Sequence, residues 1–161
     1  MTMPPLSSDG AARVKAILPF AGAANPLDTS AALIGDLSLF AKSLEILLEN
    51  AQCDAVLGYL AHVGRNPRHY GQLRDPLFAL KARYPDAPFV ISMLCPPEVR
   101  AEIEAQGMLV FEEPTRAVRA LAALASIREG FDRRPEAATF DGVRTTTARP
   151  GSLNEAESKR I

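Results

Sequence analysis

The sequence predicts an α/β fold built on a parallel sheet, and two observations carry that prediction. Segments with apolar residues at three- and four-residue spacing alternate along the chain with short runs that are apolar throughout. Such runs suit strands covered on both faces, the usual situation in a parallel sheet whose crossovers are helices.

The elements follow in order. After a Pro/Ser lead, SSDGAARVKAILPF spaces Ala12, Val14, Ile17 and Leu18 as a short helix that Pro19 closes. A turn-forming loop, ANPLDTSAAL, comes next. LIGDLSLFAKSLEILLEN then repeats Leu33, Leu37, Phe40, Leu44, Leu47 and Leu48 at helical spacing, the strongest amphipathic pattern in the chain. CDAVLGYLAHV has strand length and is apolar throughout. The polar stretch GRNPRHYGQLRDP reads as a loop before LFALKARYP, a helix stopped by Pro85. APFVISMLC is a second buried strand. PPEVRAEIEAQG is a helix with proline near its start and Gly107 just past its end. MLVFEE is a third strand, and PTRAVRALAALASI a helix with Pro114 at its first position. From about Gly130 the composition turns to Arg, Thr, Pro and Gly, which reads as a linker. SLNEAESKRI then opens a further helix, with Ser152 or Asn154 as N-cap.

Composition excludes several classes. The 161 residues suit one domain with a sizeable core. A net charge of -1 from 18 basic and 19 acidic residues argues against nucleic acid and anionic membranes as partners. Cys53 and Cys95 match no metal or redox spacing and read as reduced, packed thiols. The start MTMPPLSSDG lacks the basic and apolar regions of a signal peptide, and no apolar run has the length of a membrane span. A soluble, cytoplasmic protein is expected.

Residues able to carry chemistry are few. His62 ends the first strand run, where α/β sheets place their ligand crevice. The following loop holds Gly64, Arg65, Arg68 and His69, types that bind phosphate or carboxylate, although a solvated polar loop between strand and helix is the first reading, since loops are routinely polar. Cys95 ends the second strand run, but nothing in the sequence supplies the base or electropositive setting of a nucleophile. Glu112 and Glu113 are adjacent at a strand end, so they point apart and read as helix-start charges. There is no GxGxxG, Walker A loop, nucleophile elbow or spaced metal cluster.

Taken in order, LPFAGAANPLDTSA, LFAKSLEILLENAQCDAVLGYL, APFVISMLC and EIEAQGMLVFEEPTRAVRALAALA resemble the NDP-forming acyl-CoA synthetases (acetate–CoA ligase, ADP-forming), within the succinyl-CoA synthetase superfamily. The likeness spans about residues 5 to 130 and falls on the CoA-ligase domain adjoining the ATP-grasp domain. It implies a three-layer flavodoxin-like parallel sheet that here lacks its first strand. Residues 1–130 would form that domain, and 131–161 a linker and the start of an ATP-grasp-like segment. The reaction implied is carboxylate, CoA and NTP giving acyl-CoA, NDP and phosphate through a phosphohistidine. Asn25, Pro26 and Asp28 match the family's Asn-Pro-x-Asp loop, and His62, Gly64 and Arg65 occupy the place of a second strand-end loop. Both loops are expected to face the phosphohistidine. The segment that carries the phosphorylated histidine is not in the chain, so neither His62 nor His69 inherits that role. No catalytic residue and no bound cofactor are therefore expected here. CoA, ATP/ADP and Mg would enter with the CoA-binding and ATP-grasp domains or subunits of the complete enzyme. The missing strand would leave edges and apolar helix faces open, so a covering partner or a homo-oligomer is expected. The alternative is a stand-alone flavodoxin-like regulatory module binding a small anion at the two loops.

Overall fold

The structure, a computed structural model, describes residues 3–133. Of the linker expected from about Gly130 and the helix expected after it, everything from residue 134 onward lies outside them. Five helices and three strands alternate as anticipated: α1 (Ser8–Ile17), α2 (Ser38–Asn50), β1 (Val56–Ala61), α3 (Pro67–Arg83), β2 (Phe89–Met93), α4 (Pro97–Glu104), β3 (Leu109–Phe111) and α5 (Pro114–Asp132). The sheet is parallel throughout, in the order β1-β2-β3. β1 pairs directly with β2, with Val56 opposite Phe89 and Leu57 opposite Val90. β2 in turn sets Val90 opposite Leu109 and Ser92 opposite Phe111.

The core lies on one face of this sheet. Val56 and Leu60 of β1 and Phe89, Ile91 and Met93 of β2 point into it, against buried residues of α1 to α4 such as Val14, Leu44, Leu73 and Ile103. Gly58 is what lets α2 come so close. A Cβ there would stand 2.6 Å from Phe40 Cζ, so the ring rests on bare strand backbone. The opposite face carries a much smaller core, in which Ala117 and Leu121 of α5 cover Val90.

Four sequence expectations need correction. GRNPRHYGQLRDP is not a loop, because α3 begins at Pro67 and runs through Pro76 to Arg83. Asn66 starts it by accepting from the Arg68 and His69 amides, and Tyr70, Leu73, Leu77 and Leu80 form the stripe that buries it. The long amphipathic segment is broken near Gly35: Ala31–Ile34 is a 3-10 turn, and α2 starts at Ser38, whose amide and hydroxyl donate to the Asp36 carboxylate. Those two bonds hold the Asp36 carboxyl below its ordinary range. α5 does not stop at Ile127 but continues past Gly130 to Asp132. Finally, β1 is not covered on both faces. Its burial alternates, and Leu57 and Tyr59 are exposed.

Two lysines close the loops that follow helices. Lys15 in the last turn of α1 donates to the carbonyls of Pro19 and Ala21. Lys81 in the last turn of α3 donates to Pro85 O at 2.7 Å and Ala87 O at 2.9 Å, with its ammonium 5.5 Å from the centre of the Phe89 ring. Among the described residues, no helix is long and apolar enough to cross a membrane.

Candidate functional site

In a parallel sheet each strand delivers its following loop to the same rim, and the next helix starts there with its N–H groups pointing outward. Here that rim gathers the segment after β1 (His62–Asn66), the segment after β2 (Leu94–Pro96) and Glu112–Glu113 after β3, together with the N-termini of α3, α4 and α5. His62 and Arg65 are exposed on it. Val63–Arg65 forms a 3-10 turn, with Arg65 N donating to His62 O at 3.0 Å. Asn66 caps α3, whereas α4 and α5 begin at Pro96 and Glu113 without any side-chain cap.

Gly64 is buried, and it has a packing role. A Cβ at this position would lie 2.5 Å from Cys95 Cβ and 3.0 Å from the Leu94 carbonyl oxygen. The glycine thus lets the two strand-end segments touch. Cys95 is half-buried, and that burial pushes its thiol up, away from the thiolate a nucleophile needs. Glu112 and Glu113 also separate as anticipated, since Glu112 pairs with Arg100 at 3.4 Å while Glu113 stands at the start of α5.

The Asn25–Asp28 loop is elsewhere. Gly22 and Asp28 bridge at its base, Ser30 N donates to Asp28 Oδ1 at 2.8 Å, and the Asn25–Pro26 peptide is cis. At the tip, the Asn25 side-chain amide donates to Pro4 O at 2.8 Å and approaches Cys53 Sγ at 3.9 Å. Cys53 lies before the start of β1 and His62 after its end. A six-residue strand spans about 17 Å, so the two loops that the sequence assigned to one site are held at opposite ends of β1. Asn25 fastens the N-terminal lead to the fold, and Asp28 organises the turn toward α2.

Sequence reasoning missed the network beside the rim. The Tyr70 hydroxyl donates to Glu102 Oε2 at 2.7 Å and Arg74 Nε donates to Glu102 Oε1, tying α3 to α4. Burial, with Glu102 adding to it, pushes the Tyr70 phenol up. The Asn66-Pro67 pair was the available signal for this arrangement, because Asn followed by Pro marks a helix start and would have placed Tyr70 on a helix. Two shallow grooves lie away from the rim, on either side of Lys42 and Glu45 of α2. Among the described residues, no group of three His, Cys, Asp or Glu side chains is placed to hold a metal ion. The chain matches no protein-family model, no curated protein and no solved structure.

Chemically, the rim offers uncapped helix N-termini and the cations Arg65, Arg68 and Arg100. The carboxylates Glu98, Glu112 and Glu113 stand among them. Helix N-termini and arginine side chains are groups that can meet an anion.

Proposed function

We propose that the chain is a flavodoxin-like CoA-ligase domain, subunit or truncated relative of an NDP-forming acyl-CoA synthetase, working in the cytoplasm and inactive by itself. The observation that supports this reading is the rim itself. Three helix N-termini and the His62–Asn66 segment converge there. A surface of this kind suits one wall of a site whose reacting groups come from other domains. The phosphohistidine, CoA, nucleotide and Mg would be carried by those CoA-binding and ATP-grasp domains or subunits. His62, Gly64 and Arg65 remain its loop on this chain. Asn25 and Asp28 act as structural supports at the other end of β1, with Pro26 between them.

The test is reconstitution. The purified chain is mixed with the CoA-binding and ATP-grasp polypeptides encoded beside it and supplied with acyl substrate, CoA, ATP and Mg. Acyl-CoA and ADP should form only in the mixture. No complex and no product would overturn the reading.

The uncapped start of α4, with Arg100 in its second turn, favours one alternative: a stand-alone module that binds a small anion. Phosphate or CoA alone would then stabilise the chain, by about 2.7 kcal/mol at a hundred times the dissociation constant. Thermal shifts with each ligand and no partner separate the two readings.

A further inference from the structure

The second face of the sheet is the least finished part of the molecule. By strand alternation and register it presents the rows Leu57–Val90–Leu109 and Tyr59–Ser92–Phe111. α5 covers only part of it. Ala117 and Leu121 seat on Val90, but α5 has 19 residues and reaches about 28 Å, farther than the strands it crosses. Its apolar stripe continues beyond that seat through Leu124, Ile127 and Phe131, all on the side that began by facing the sheet. These three project into solvent: Ile127 is 57 % exposed and Phe131 70 %. Beside the helix, Tyr59 is 64 % exposed, and Leu57 and Leu109 are exposed as well.

We propose that this face is the contact between two copies of the chain, packed about a twofold axis around Tyr59 and the overhanging half of α5. Area is the first reason. The six exposed side chains amount to roughly three whole large ones, on the order of 600 Å² per copy at about 200 Å² each. Two copies bury about twice that when all six meet, which reaches the lower end of stable specific interfaces at about 1,200 Å², and the patch on one copy stands at the upper end of the roughly 300–600 Å² that monomers leave open. Charge is the second reason. The charged residues on the overhang pair within the helix, Arg133 with Glu129 at 3.1 Å and Arg128 with Asp132 at 4.0 Å. The face is therefore neutral, and a copy of itself meets it without like-charge repulsion, whereas a strongly charged partner would gain nothing from it. A twofold contact also needs only one self-complementary patch. The interface stands on the exposed face alone and is independent of the acyl-CoA synthetase reading.

Light scattering on the full chain, coupled to size exclusion across a wide concentration range, tests it. The expected mass at high concentration is about twice the 17.3 kDa of one chain. Tyr59→Lys and Ile127→Glu change exposed side chains, so each should keep the wild-type circular dichroism while weakening the dimer at least tenfold, roughly 1.4 kcal/mol. A dimer that persists unchanged in both variants would overturn the proposal, as would a wild-type chain that stays monomeric at the highest concentration. In that last case hydroxyl-radical footprinting of Tyr59 and Phe131 reads whether the face is covered. Protection in the monomer assigns the cover to residues 134–161, and full reactivity shows a face left open, which overturns the proposal equally.

Discussion

Gly64 stands on a strand-end turn with a histidine before it and an arginine after it, the setting of an anion-binding glycine. In the fold it is a spacer. The backbone it leaves bare is the surface on which Cys95 and the Leu94 carbonyl rest. The two roles make different demands. A phosphate cradle needs the N–H, which alanine keeps, while a close approach needs the missing Cβ. Gly64→Ala should therefore lower stability by about 1–3 kcal/mol, the usual cost of forcing a methyl into a packed site, and denaturant unfolding would measure it. An alanine variant as stable as wild type would mean that the two strand ends do not touch as described. Asn25 makes the same point from the other side. The Asn-Pro-x-Asp pattern is visible in the sequence, but the amide's partners are not: Pro4 lies 21 residues away and Cys53 28.

Among the elements, α3 and α4 are joined by Glu102, which accepts from Tyr70 and from Arg74. The Tyr70 bond is the larger cause, with the Arg74 bond and charge added, and together they hold the Glu102 carboxyl below its ordinary value of 4.5. A depressed folded value stabilises above the unfolded one and is lost as the pH falls through the folded one. The melting-temperature gap between wild type and Glu102→Gln should accordingly stay level at neutral pH and close as the pH drops below 4.5. A gap unchanged down to about pH 2 would count against this tie. How much of each element the sequence disclosed depended on what marks its ends. The order of helices and strands was legible because period and apolar content change together, and Pro97, Pro114 and Gly107 marked their boundaries. The first half of α3 was hidden, since Arg68, Gly71, Gln72, Arg74 and Asp75 dilute its stripe and Pro76 looks like a stop. The exposure of Leu57 and Tyr59 was hidden too. An apolar run reads the same whether or not a second layer covers it.

For the molecule as a whole, the two faces of the sheet are unequal. Among the described residues, four helices close the first, whereas one helix rests on the second through Ala117 and Leu121. Local opening follows buried apolar contact, so α5 should be the easiest element to release. In a dilute, monomeric sample, amide hydrogen exchange is expected to be fastest in α5 beyond Leu121 and slowest in β2 and α3. Equal protection of all helices would show that the second face is better closed than its exposed residues indicate. The fold class and the rim were both foreseeable from the sequence. That the two loops lie at opposite ends of β1 was not, because the distance between them is set by where α1 and its following loop pack.

Lys15 and Lys81 share a geometry that matters beyond their two loops. Each ammonium meets carbonyls four and six residues further along the chain, where the backbone doubles back after its helix. What is used is a compact head with three donors that can converge on a small ring of oxygens. Arginine matches the charge but offers a flat fork, and methionine matches the stem but leaves the carbonyls without a donor. At Lys81, which is buried, substitutions that look mild by charge or by size are therefore both costly, and lysine there acts as a joint, whereas at the exposed Lys15 water takes over the carbonyls.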